Sequence, residues 1–183
     1  MAIPAQRRSL KKKFDETSKD VRDYLTHLPQ LLRDFPLDVC LSYLFSQVEL
    51  AHNMTLYCGV VKLHKANRDV ARQAVNVHHM TRNGFAETFR IIFDIQIREE
   101  VTAPLRIADD IRDKIMHGKS TTESEKREAI SNVIDSAVAF NEFVHSQAKF
   151  RPFGPLRGFK GRAQSLDKST TRWMLKGMGF TLS

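Results

Sequence analysis

Residues 102–125 read TAPLRIADDIRDKIMHGKSTTESE, and the reading of this stretch decides the fold. Leu105, Ala108, Ile111 and Ile115 recur at three- and four-residue spacing, the period of a helix with one apolar face. Thr102 is placed to cap that helix, and Pro104 suits a first turn, where a missing N–H costs little. Gly118 follows directly after His117, the position at which helices commonly turn left-handed and end. A second start comes at once, because Thr122 and Glu125 stand at capping-box spacing. Ile130, Val133, Ile134, Ala137, Val138 and Val144 then form the stripe of a last core helix.

Working outward, helical periodicity continues over residues 14–148, and no run shows the alternation expected of strands. The pattern predicts a helix from Asp15 to His27 that stops or kinks at Pro29. Pro36 then precedes a long apolar helix from Leu37, with Ser42, Ser46, Glu49 and Asn53 as a narrow polar stripe. Further helices are expected over residues 67–79 and from Thr81 or Gly84 to Ile97. The second of these places Phe85, Phe89, Ile92 and Phe93 on one face. The expected fold is all-α, a helical bundle of about five helices over residues 14–148. After Phe150, five prolines and glycines fall between Pro152 and Gly161, interleaved with Phe153, Phe159 and basic groups, which predicts an irregular segment. A short helix is expected from Asp167 to Lys176, carrying Trp173 and Met174.

The 183 residues suffice for one domain, which at this size buries about 70% of its unfolded surface. The net charge of +8 is unevenly placed. Residues 1–13 carry Arg7, Arg8, Lys11, Lys12 and Lys13 without an acid, and read as a basic N-terminal arm. Residues 149–183, a basic Gly/Pro/aromatic C-terminal extension, set Lys149, Arg151, Arg157, Lys160, Arg162, Lys168, Arg172 and Lys176 against Asp167 alone. The stretch between them is mildly acidic. Basic ends on such a centre point to a polyanion, most commonly nucleic acid. The plainer alternative is that both ends are solvated tails. Cys40 and Cys58 lack the spacing of a disulfide framework or zinc site, which fits a reducing compartment and a cytoplasmic location. No apolar stretch follows the basic N-terminus as a secretory signal would require. Asp38, Gln47, Glu49, His52 and Asn53 make the apolar helix after Leu37 unsuited to a membrane.

One constellation carries chemistry. A guanidinium holds phosphate by paired hydrogen bonds, and an imidazole moves protons near neutral pH. An arginine followed by a histidine after four to six intervening residues arises about twice by chance in such a composition. The chain holds Arg22–His27, Arg72–His78, Arg72–His79 and Arg112–His117. Within a continuous helix a five-residue offset sets two side chains about 140° apart. His117 escapes this because Gly118 ends the helix there, and the last residues can turn the imidazole back toward Arg112. The helix C-terminus also places partial negative charge there, which suits an acid role. Against this stands a purely structural reading, with His117 as a helix cap and Arg112 as the ion-pair partner of Asp109.

The run Arg112-Asp113-x-x-x-His117-Gly118, ahead of a capped final helix in an all-α chain, resembles the HEPN superfamily of helical domains. The resemblance covers residues 37–148 in expected architecture and only these few residues in identity. It implies a metal-independent endoribonuclease, without cofactor, of a toxin or defence system. Arg112 would orient the scissile phosphate. His117 would transfer a proton at the ribose 2′-hydroxyl or the leaving 5′-oxygen, and Asp113 would position either of them. The implied products are a 2′,3′-cyclic phosphate and a 5′-hydroxyl. The implied partners are RNA, a second copy in a homodimer, and an antitoxin or regulatory protein. Lys114, Lys119, Lys149, Arg151, Arg157, Lys160, Arg162 and Arg172 are the candidate nucleic-acid-binding residues. Phe150, Phe153, Phe159 and Trp173 are candidates for base stacking or for docking the extension on the core.

Two rival functions remain open from the residues alone, a non-catalytic nucleic-acid-binding helical module and a protein-interaction scaffold. Metal binding is weakly signalled. Neither His78-His79 nor His52, Cys58 and His64 have the spacing that puts ligands on one helix face.

Overall fold

The computed structural model describes residues 3–77, 82–155 and 165–182, with the side chains of residues 82 and 83 excepted. The fold is all-α: nine α-helices and no strand occur among the described residues. The helices are α1 (Arg8–Asp15), α2 (Lys19–Tyr24), α3 (Leu28–Asp34), α4 (Leu37–Lys62), α5 (Arg68–Val77), α6 (Arg82–Phe93), α7 (Glu99–Met116), α8 (Glu123–Ala148) and α9 (Lys168–Gly177). The simpler bundle of about five gives way to nine mainly at the N-terminal end. There α1 forms where an arm was expected, α2 after Ser18 takes the place of the expected Asp15–His27 helix, and α3, with Pro29 in its first turn, fills the stretch before Pro36.

The chain divides into two compact units, residues 1–49 with 98–155 and residues 50–97 with 156–183. In the first, α7 packs along α8, and α1 packs against α8 as well. Residues 8–15 are therefore not a free basic arm. Leu10 and Phe14 lie four residues apart and are both buried, while Lys11 reaches Asp15 and Lys13 reaches Asp135 at 2.5 Å. The lysines that dominate the sequence pattern line the outer face of an amphipathic helix. Residues 150–155 also belong to this unit. Phe150 and Phe153 are buried, and Asn141 clamps the backbone of Phe153 through both its N–H and its carbonyl (2.7 and 2.8 Å).

In the second unit α5 packs against α9. Phe85, Phe89 and Ile92 are buried, as their spacing predicts. The hydroxyl of Thr171 accepts the N–H of Asn67 at 2.9 Å. The helix α4 supplies its first thirteen residues to one unit and its last thirteen to the other. Its expected polar stripe is seen at Ser42, Ser46 and Glu49, which are exposed, and Asn53, which is half-buried.

Candidate functional site

The run that carries the candidate chemistry closes α7. This helix starts earlier than its sequence suggests, at Glu99 with Arg98 as N-cap, so Pro104 lies inside it. Glu99 and Glu100 occupy the first turn, where carboxylates favour the positive end of the helix dipole. One side-chain tie fixes the start: the hydroxyl of Ser136 on α8 donates to the carbonyl of Val101 at 3.0 Å.

The inward face of α7 runs Val101, Leu105, Ala108, Asp109 and Arg112, the i, i+4, i+7, i+8 and i+11 positions of one stripe. Two charged residues thus continue an apolar face. Asp109 is only 2% exposed, and its Oδ1 accepts from an Arg112 terminal nitrogen at 3.1 Å. Arg112 also lies over the Phe45 ring of α4, with 5.2 Å from guanidinium carbon to ring centroid. Asp113 is more distant, 4.0 Å from the same nitrogen. The guanidinium is therefore held at one edge and on one face. Its remaining N–H groups have no hydrogen-bond partner among the described residues, and the side chain is one-third exposed.

His117 is the C-cap residue and is exposed. Its backbone, at φ −94° and ψ 14°, stays on the right-handed side. The reversal comes one residue later, at Gly118 with φ +66°. The amide of Gly118 donates to Ile115 at 3.0 Å and that of Lys119 to Lys114 at 2.8 Å, the paired bonds of a Schellman motif. Because the turn follows His117, the roughly 140° separation from Arg112 persists around the axis. No hydrogen bond joins the two side chains among the described residues. The ion pair of Arg112 with Asp109 is the one that the structural reading of the sequence expected.

Beyond the turn, Thr122 caps α8 in a full capping box: its hydroxyl accepts from Glu125 N–H at 3.2 Å, and Glu125 Oε2 accepts from Thr122 N–H at 2.7 Å. These bonds from Thr122 hold the Glu125 carboxyl below its ordinary value. Lys114 lies 3.5 Å from Glu125, and Lys119 is exposed.

Among the other candidate nucleic-acid-binding residues, Lys149 ends α8 in the left-handed region at φ +59° and donates to the Ser146 carbonyl at 3.3 Å. Arg151 lies 3.6 Å from Asp20. Arg172 is on α9, in the second unit. Arg157, Lys160, Arg162 and Phe159 lie outside the described residues. So do His78 and His79.

The remaining polar groups have other uses. His52 stacks flat on Phe85 at 3.8 Å; although an edge of it stays accessible, desolvation of the ring pushes its pKa down to about 3. His64 Nε2 lies 2.7 Å from the Ile92 carbonyl oxygen. Cys40 and Cys58 are free and buried, and burial raises their thiols to about 11 and about 12, far from the reactive range. Among the described residues no three metal-ligating side chains cluster, and no helix is long and apolar enough to cross a membrane.

Sequence reasoning gave Asp109 only as an ion-pair partner, and missed Phe45. The signal for Asp109 was its place eight residues after Val101, on the stripe that carries Leu105 and Ala108. Phe45 had no local signal, being 67 residues away from the arginine it supports. Comparison of the chain with protein-family models, with curated proteins and with solved structures finds no match.

Proposed function

We propose that the chain is a metal-independent endoribonuclease of the HEPN type, acting on RNA as a homodimer through Arg112 and His117. The observation that carries this reading is the division of labour at the end of α7. The buried Asp109 and the ring of Phe45 hold Arg112 by one edge and one face, leaving further N–H groups for a phosphate, while a solvent-exposed imidazole stands at the helix terminus.

The angular separation of the two side chains favours a site shared by two copies, with the motifs facing each other across a two-fold axis. There the 2′-hydroxyl loses its proton to one imidazole as its oxygen bonds to phosphorus. The phosphorus–O5′ bond breaks, and the second imidazole, protonated, gives its proton to O5′. Arg112 carries the charge that builds on the phosphoryl oxygens. The products are a 2′,3′-cyclic phosphate and a 5′-hydroxyl. Such a nuclease suits a toxin or defence system, restrained in the cytoplasm by an antitoxin or regulatory protein.

The test is RNA cleavage by the purified chain in EDTA. Cleavage with those end groups, abolished by Arg112→Ala and by His117→Ala separately, supports the proposal, and metal-dependent cleavage or different ends overturn it. A second reading, a non-catalytic nucleic-acid-binding module, is favoured by the Arg112–Asp109 ion pair, which by itself accounts for that arginine. On that reading the wild type binds RNA and leaves it intact.

A further inference from the structure

Of the aromatic side chains near the basic C-terminal end, Phe150 and Phe153 are buried, but Trp173 is 72% exposed, more than any other large apolar side chain described. Its helix, α9, buries Thr171 and Leu175 on the opposite side, about 160° around the axis. The indole is thus directed away from the core of its unit. Its neighbours on the outer face are small: Ser169 and Thr170 precede it by one turn, and Gly177 follows at i+4 with nothing within 4 Å of where a Cβ would stand. Lys176 and Arg172 share one flank of the indole. The helix carries three cations and no acid, and its N-cap Asp167 is engaged by Thr170, whose N–H it accepts at 2.9 Å.

We infer that Trp173 is a stacking platform for an unpaired base, with Lys176 holding a phosphate beside it. An exposed aromatic ring with cations on one flank is the arrangement by which proteins hold single strands without reading their sequence. A membrane surface fits less well, because an interfacial helix inserts a whole apolar face. The apolar face of α9 is already buried. The inference rests on the nucleic-acid part of the function proposed above and not on cleavage.

Trp173 is the only tryptophan of the chain, so its fluorescence reports on this site alone. The full chain is titrated with an oligothymidylate of about 12 nucleotides, a length within the span that single-strand-binding folds occupy. Lacking a 2′-hydroxyl, this probe stays uncut whatever the fate of the nuclease proposal. Saturable quenching by the oligonucleotide and none by heparin of matched charge are expected. Read by the anisotropy of a dye-labelled oligothymidylate, which needs no tryptophan, Trp173→Ala should weaken binding at least about fivefold with an unchanged salt slope. Lys176→Gln should instead flatten the slope by about 0.7. Circular dichroism of Trp173→Ala should match the wild type, since the removed ring is exposed. Equal quenching by heparin, a blue shift with phosphatidylglycerol vesicles but no response to the oligonucleotide, or wild-type affinity in Trp173→Ala would each overturn the inference.

Discussion

Helices α7 and α9 end in the same backbone device and use it for different purposes. In α9, Gly179 turns left-handed at φ +88°, its N–H donates to Lys176, and the N–H of Phe180 reaches back to Leu175. In α7, Gly118 does the same at φ +66°, with Ile115 and Lys114 as acceptors. The difference lies in the side chains. The residues that meet across the α9 turn are Leu175 and Phe180, both buried, the apolar contact that usually accompanies the motif. The corresponding residues of α7 are Lys114 and Lys119, at the solvent edge, with an exposed histidine between them. An end that spends its side chains on packing is explained by stability. The α7 end instead pairs Lys114 with Glu125 at 3.5 Å and leaves Lys119 and His117 exposed, so packing does not account for it and the proposed function draws on it.

The comparison breaks most readily at Leu175. Leu175→Ala should lower the unfolding free energy by about 2–5 kcal/mol, measured by urea denaturation, because a fully buried side chain leaves a cavity. Lys119→Ala, the residue at the matching side of the α7 turn, should stay within about 0.5 kcal/mol of wild type. Equal losses would erase the distinction.

Asp109→Ala tests the support of the arginine. It should cost about 1–3 kcal/mol, since it leaves a partly buried guanidinium without its partner. It should also slow any RNA cleavage, because Arg112 would no longer be held. A variant as active as wild type would show that the ion pair does not orient the arginine.

Gly118→Ala and Gly179→Ala should each cost about 1–2 kcal/mol, and by similar amounts, because both force an L side chain into the left-handed region. A large difference between them would mean that the turns are not equivalent.

The last effects are those of pH and are confined to acid conditions. His52 has a folded pKa of about 3, below its ordinary 6.5, so the unfolded chain binds its proton first. Its contribution to stability is therefore complete above about 6.5 and declines as the pH falls toward 3. Glu125, whose folded pKa is also lowered, acts in the same direction at more acid pH. Replacing His52 by leucine should remove the first slope in urea midpoints taken across pH. An unchanged slope would show that other groups produce it.

What the sequence disclosed and what it hid follow one physical rule. Gly118, Thr122 and Glu125 were legible because capping is decided by residues within one turn of each other. The opening of α7 is less legible, since Pro104 marks a first turn only as a preference, and the helix, which packs along α8, starts at Glu99. The N-terminal lysines mask the pair Leu10 and Phe14, because a sum of charge over residues 1–13 carries no trace of their four-residue spacing. The setting of Arg112 was half visible. Its partner Asp109 lies three residues away, but the depth of that carboxylate and the ring of Phe45 depend on which helices α7 meets.

The most direct test of the central claim is to measure the urea midpoint and the EDTA-resistant RNA cleavage rate side by side on His117→Ala. Loss of an exposed cap side chain should leave the midpoint within about 0.5 kcal/mol of wild type. Loss of the proton carrier should slow cleavage by about 100-fold or more. A wild-type chain that leaves RNA whole, or a variant that cuts it at the original rate, would contradict the account and return His117 to the role of a helix terminus.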